Sequence, residues 1–117
     1  MRAALFAALL AFCIVLLAAC SAKKAEPLPP GSTVLALGDS LTAGYGLTPE
    51  QAWPTLLAGK TGWKIINGGV SGDKTDDALA RLPALMDEHA PRLVLVTLGG
   101  NDMLRKLPEA QTRANLA

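Results

Sequence analysis

Three short apolar runs, each stopping at a loop of small and polar residues, constrain this chain more than anything else in its sequence. Thr33-Val34-Leu35-Ala36-Leu37 closes at Gly38, Trp63-Lys64-Ile65-Ile66-Asn67 opens into the polar stretch Asn67–Thr75, and Leu93-Val94-Leu95-Val96-Thr97-Leu98 stops at Gly99-Gly100. Runs this short, bounded by turn residues, read as buried strands. The segments between them are spaced as helices. Gln51–Gly59 carries Trp53, Leu56 and Leu57, with Pro49 and Glu50 as start signals. Asp76–His89 carries Leu79, Leu82, Leu85 and Met86 on one expected face, aspartates in its first turn and Pro91 beyond its end. Pro83 should kink or interrupt that helix, because proline lacks the amide donor and its ring crowds the preceding turn. Strands apolar on both faces, alternating with helices, predict an α/β domain built on a parallel sheet with helices covering it.

The domain is expected to occupy residues 32–117. Before it, Ser21–Gly31 (SAKKAEPLPPG) is polar and proline-rich without hydrophobic periodicity, and reads as an extended tether. Residues 1–19 have the pattern of an export signal: Met1-Arg2 gives a positive end, and Ala3–Ala18 is an uninterrupted apolar run too short for a membrane span. Leu17-Ala18-Ala19-Cys20 resembles a bacterial lipobox, which implies cleavage before Cys20 and lipidation of its thiol. Ser21 after the cysteine points to the outer membrane, so an envelope lipoprotein facing the periplasm is expected. The alternative is an ordinary signal peptide and a soluble periplasmic product. The leader inflates the 50% hydrophobic content, and removing its one charge, Arg2, leaves ten basic and ten acidic residues. That neutral balance offers no cationic footprint for a nucleic-acid partner. Cys13 falls in the leader and Cys20 would carry lipid, so neither is a disulfide candidate in the mature chain.

Open α/β sheets bind ligands outside the carboxyl ends of their strands, and here each strand end carries reactive residues. These are Gly38-Asp39-Ser40-Leu41-Thr42, the loop containing Gly69-Val70-Ser71-Gly72-Asp73-Lys74-Thr75, and Gly99-Gly100-Asn101-Asp102. Thr42 stands where a nucleophile elbow needs its second glycine. Asp73 stands where a phosphate-binding loop needs glycine, and its charge would repel phosphates. Gly44-Tyr45-Gly46 lacks the third glycine of a dinucleotide fingerprint, and one histidine without a thiol pair argues against a metal site. Nucleophilic catalysis remains. A serine directly after a strand and near a helix start is exposed and close to backbone N–H groups. Gly72 can bring its N–H near a substrate because no side chain intervenes, and Asn101 can donate from its amide. Three donors would then face one developing negative charge.

These residues resemble a family. Gly38-Asp39-Ser40-Leu41, Gly72 within Val-Ser-Gly-Asp-Lys-Thr, and Gly99-Gly100-Asn101-Asp102 are similar to the first three blocks of the SGNH or GDSL hydrolases. The likeness is closest to the bacterial acyl-CoA thioesterase, lysophospholipase and arylesterase group. Ala52-Trp53-Pro54, Ala80–Leu85 and Leu93–Val96 support it, and it runs from about Thr33 to Gln111. The resemblance implies a flavodoxin-like sheet of five parallel strands, of which this chain supplies the first three. It implies Ser40 as nucleophile, with the Ser40 N–H, the Gly72 N–H and the Asn101 amide as oxyanion hole. It also implies a small-molecule or lipid ester or thioester as substrate, with no cofactor.

The family's last block, Asp-x-x-His, has no counterpart after Asn101. His89, the only histidine, precedes the third strand and reads as an exposed helix-end residue. The sequence therefore reads as the N-terminal part of such a hydrolase, expected to turn over esters poorly and to leave its third strand with an open apolar edge. A catalytically silent binding module on the same fold is the alternative. Among neighbouring residues, Asp39 reads as a turn or helix cap and Asp102 as shaping the loop beside Asn101. Asp73, Lys74 and Thr75 could line the substrate mouth or form a solvated helix start. Trp53 and Trp63 read as core, Asn67 as a strand-end residue without chemistry, and Tyr45 and Leu47 as residues within reach of an acyl group.

Overall fold

The apolar runs form strands β1 (Thr33–Gly38), β2 (Lys64–Gly69) and β3 (Leu93–Thr97), which pair in parallel in the order β2-β1-β3. The computed structural model describes residues 25–117 together with Met1. The expected signal segment and Cys20 lie outside the described residues. No helix among the described residues is long and apolar enough to cross a membrane.

Central placement explains why β1 is the most apolar strand. Leu35 lies between Ile66 and Val94, and Leu37 between Gly68 and Val96. Side chains alternate across a strand, so the burial of Val34, Leu35, Ala36 and Leu37 in succession means that both faces of β1 are covered. The expected α/β class is the observed one, and 2-1-3 is the strand order with which a flavodoxin-like sheet begins. At the outer side of the described sheet, β3 leaves Val96 half exposed, an apolar strand edge.

Among the described residues five α-helices follow the strands: α1 (Ser40–Ala43), α2 (Trp53–Thr61), α3 (Thr75–His89), α4 (Gly100–Leu104) and α5 (Glu109–Leu116). The expected helix over 51–59 divides in two. Gln51 folds back to accept a hydrogen bond from Thr48 N at 3.1 Å, closing a separate 3-10 turn over Pro49–Gln51, and extended Ala52 separates it from α2.

The long helix α3 covers the face of β1 that carries Leu35 and Leu37, using Ala78, Leu82 and Leu85, with Ile66, Val94 and Leu98 completing the cluster. Its buried line is one residue round from the expected stripe. Leu79 is 46% and Met86 38% exposed, because the single methyl of Ala78 is what lets the helix approach the sheet. Nor does Pro83 interrupt α3, which runs unbroken through it. Pro83 is on the outer surface, where water can reach the carbonyl its missing N–H would have bonded.

The two tryptophans are half-buried rather than central. Trp63 Nε1 donates to Leu28 O at 3.0 Å, and Gly31 N donates to Gly62 O at 2.8 Å. The last residues of the proline-rich stretch are thereby fastened where the chain enters β2.

Candidate active site

Gly38 ends β1 and makes the first loop possible. A Cβ there would sit 2.1 Å from Thr42 Oγ1 and 3.0 Å from Thr97 O, so only glycine lets α1 fold directly over the strand tip. Asp39 caps α1, its Oδ1 accepting from Leu41 N at 3.0 Å. Ser40 is thus the first residue of α1, partly exposed, at the carboxyl end of the central strand.

The end of β2 is pressed against this helix. A Cβ on Gly69 would meet Ala43 N at 2.2 Å. Asn67 Nδ2 donates to Thr42 O at 2.9 Å while its Oδ1 accepts from Gly69 N at 2.9 Å. Asn67 therefore pins α1, and with it Ser40, to β2. Val70 N donates to Gly38 O at 3.0 Å, carrying the chain across the tip of β1. Gly72 follows with φ +85°, in the left-handed region that favours glycine, and the space a Cβ would occupy is open except for Arg105 Nη2 at 3.7 Å.

The third loop closes on the other two. Asn101, in the first turn of α4, donates from Nδ2 to Asp73 O at 2.9 Å, next to Gly72. An amide nitrogen carries two hydrogens, so one remains for another acceptor. The position of a Cβ on Gly100 lies 3.9 Å from Asp39 Oδ2, which brings the third loop against the first. Ser40, Gly72 and Asn101 thus occupy one end of the sheet. Ser40 and Asn101 follow the carboxyl ends of the adjacent strands β1 and β3, where open α/β sheets bind their ligands. A cleft of about 400 Å³ between α4 and α5, lined by Gly99, Met103, Leu107, Glu109 and Thr112, includes none of the three.

Asp102 holds the third loop in place. It is 2% exposed, and it accepts from Thr75 N at 2.9 Å, Thr75 Oγ1 at 2.6 Å and Thr112 Oγ1 at 3.1 Å. Burial pushes its carboxyl up, but the Thr75 and Thr112 hydrogen bonds outweigh it and hold the group below the usual carboxylate range. Asn115 Nδ2 adds a bond to Thr75 Oγ1 at 3.0 Å, joining α5 to the start of α3. Lys74 bonds Asp76 and Asp77, each at 2.7 Å, across that helix start. Those bonds raise the lysine pKa and lower that of Asp77.

Arg81 is the residue that sequence reasoning passed over. Its Nε donates to Asp73 Oδ2 at 2.8 Å, and its Nη2 donates to Gly68 O at 2.7 Å and Gly38 O at 3.1 Å. The available signal was an arginine among Ala78, Leu82 and Leu85, on the side of α3 that faces the sheet.

Other residues lie farther from this arrangement. His89 ends α3 just before β3 begins, at the amino end of the sheet and opposite Ser40, with Nε2 3.7 Å from Glu88 Oε1. Leu41, Tyr45 and Leu47, close to Ser40 along the chain, are all exposed.

Residues 36–117 match the GDSL-like lipase/acylhydrolase family. Over 86 residues the chain is 51% identical to the thioesterase 1/protease 1/lysophospholipase L1 of Escherichia coli, covering 72% of this chain and 41% of that protein. It is 47% identical over 89 residues to an arylesterase of Vibrio mimicus, covering 72% of this chain and 44% of the relative. The fold matches the crystal structure of AlinE4, an SGNH-hydrolase family esterase, with a TM-score of 0.69 and 41% identity over 77% of this chain and 51% of that one. The chain spans less than half the length of these curated relatives. With a match that starts inside β1 and takes in all three strand-end loops, the chain belongs to the GDSL-like lipase/acylhydrolase family.

Proposed function

We propose that this chain carries the nucleophile and the oxyanion-binding groups of a serine hydrolase acting on carboxylic esters and thioesters. The Ser40 oxygen attacks the substrate carbonyl carbon, and its hydroxyl proton passes to solvent. The Ser40 N–H, the Gly72 N–H and the free N–H of Asn101 Nδ2 take up the charge on the carbonyl oxygen. Collapse of the adduct breaks the C–O or C–S bond, the alcohol or thiol leaving with a proton from solvent. Water then hydrolyses the acyl-serine to the carboxylic acid and free Ser40. The observation that carries this reading is the Asn101–Asp73 hydrogen bond of 2.9 Å, which ties the loop of Gly72 to the strand end beside Ser40. The relatives' activities, thioesterase, lysophospholipase and arylesterase, support the substrate class. The chemistry needs no metal or cofactor.

A catalytically silent binding module is the second reading, favoured by one observation: His89, the only histidine in the sequence, is at the opposite end of the sheet from Ser40. Without an imidazole to accept its proton, Ser40 would be activated weakly. Loss of a triad member costs about 10⁴–10⁶ in turnover, so slow hydrolysis of nitrophenyl esters by these 117 residues is expected. We also infer export and lipidation at Cys20, supported by the apolar leader and Leu17-Ala18-Ala19-Cys20, with the product in the bacterial envelope. Palmitate labelling lost in Cys20→Ala tests that placement.

Fluorophosphonate labelling read by peptide mass spectrometry tests the hydrolase reading. The expected adduct is on Ser40 and absent from Ser40→Ala. An unlabelled Ser40, or equal labelling of the variant, would leave the silent module as the better account.

A further inference from the structure

We propose that Arg81 is a positioning residue for the oxyanion hole, setting the places of Gly72 and Asn101 without touching substrate. The inference rests on the hydrolase reading for its consequence, though not for its geometry. One guanidinium reaches two backbone carbonyls and one side-chain carboxylate, on three separate segments. Nη2 bonds the carbonyls of Gly38 and Gly68, at 3.1 and 2.7 Å, fixing the tips of β1 and β2 relative to each other. Nε holds the Asp73 carboxylate at 2.8 Å. The main chain of Asp73 is in turn what orients Asn101, through its carbonyl at 2.9 Å, and Asp73 follows Gly72 directly. Every hydrogen bond from Arg81 therefore ends on a loop that supplies an oxyanion donor or on the strand tip that supports one.

Charge gives Arg81 a second task. Asp73 is 9% exposed and lies beside two groups meant to stabilise an anion. An unpaired buried carboxylate there would repel the developing oxyanion, and the arginine cancels that field. The planar fork suits the geometry: three acceptors in different directions are served by one rigid group, which a lysine ammonium cannot reproduce with the same directions.

The test uses the full chain with Arg81→Gln and Arg81→Lys, and Lys60→Gln as a remote control. Two readouts are taken. The first is the limiting rate and half-saturating concentration of Ser40 phosphonylation by a fluorophosphonate. In that step the Ser40 oxygen bonds phosphorus, fluoride leaves, the hydroxyl proton passes to solvent, and negative charge grows on the phosphoryl oxygen. The second is the pair of Asn101 side-chain amide signals in nitrogen-15 NMR. The proposal expects Arg81→Gln to lower the limiting rate by about tenfold or more, with the half-saturating concentration within about twofold. Arg81→Lys should fall between. The Asn101 amide signals should shift in both variants while those of α2 and of Thr33–Leu35, at the far end of β1, stay near wild type. An unchanged limiting rate, or unchanged Asn101 signals, would overturn it. If Arg81→Gln does not fold, Arg81→Lys decides on the same two readouts. If wild-type Ser40 is not labelled at all, the hydrolase reading fails, and the Asn101 signals still decide whether Arg81 positions that amide.

Discussion

Replacing Asp102 isolates the contribution of one buried carboxylate to the loop that carries Asn101. Asp102 accepts three hydrogen bonds, from Thr75 N, Thr75 Oγ1 and Thr112 Oγ1, and both Asp102 and Thr75 are almost fully buried. Asp102→Ala strips the Thr75 N–H of its acceptor in a place water does not reach. A stranded buried donor costs about 1–3 kcal/mol, and each lost bond to a charged group roughly 1.5–3 kcal/mol more, offset by release of a desolvated charge. Because release of the desolvated charge offsets most of the lost bonding, the net loss is about 3 kcal/mol, at the high end for one substitution. Asp102→Asn keeps one acceptor oxygen for Thr75 N, but turns an amide toward two hydroxyls, one of which already accepts from Asn115. It should cost about 1–2 kcal/mol. For a domain of this size 1 kcal/mol moves Tm by roughly 4–8 °C, so thermal unfolding followed by circular dichroism separates the variants readily.

The pH dependence of that difference has a definite sign. The folded carboxyl lies below its ordinary value of 3.8. Its stabilisation is therefore complete above that value and is lost as pH falls through the lower, folded-state value. Wild type and Asp102→Asn should differ most at neutral pH and converge on acidification below about pH 4. A loss under about 1 kcal/mol for Asp102→Ala, or a gap that does not narrow in acid, would refute this reasoning.

Two further substitutions test how the site is supported. Gly69→Ala would force a Cβ within 2.2 Å of Ala43 N and 2.7 Å of Thr42 C, both backbone, so α1 must move; unfolding should show a loss of about 2 kcal/mol or more, with Ser40 labelling slowed. Pro83→Ala, on the exposed side of α3, restores an amide donor to a helix turn and should stabilise by about 1 kcal/mol, raising Tm in the same unfolding scan.

The sequence made the strands and their loop residues legible because burial on both faces leaves an apolar run that needs no other information, as in Val34–Leu37. Ser40, Gly72 and Asn101 were visible as residue types at strand ends. Their joining hydrogen bonds were not, since Asn67 to Thr42 and Asn101 to Asp73 connect positions whose register only the folded sheet defines. Arg81 was missed for a related reason: a guanidinium facing inward looks the same in sequence as one facing solvent until its acceptors are known. The offset of α3 had another source. Ala78 contributes little hydrophobicity, yet its small size set which line of the helix met the sheet, leaving Leu79 and Met86 at the rim.

A crystal structure of the chain with a phosphonate bound to Ser40 would measure the convergence of the three loops directly. The account predicts the phosphoryl oxygen at about 2.7–3.1 Å from Ser40 N, Gly72 N and Asn101 Nδ2 together. An oxygen turned to solvent, with Gly72 and Asn101 beyond hydrogen-bond reach, would contradict it.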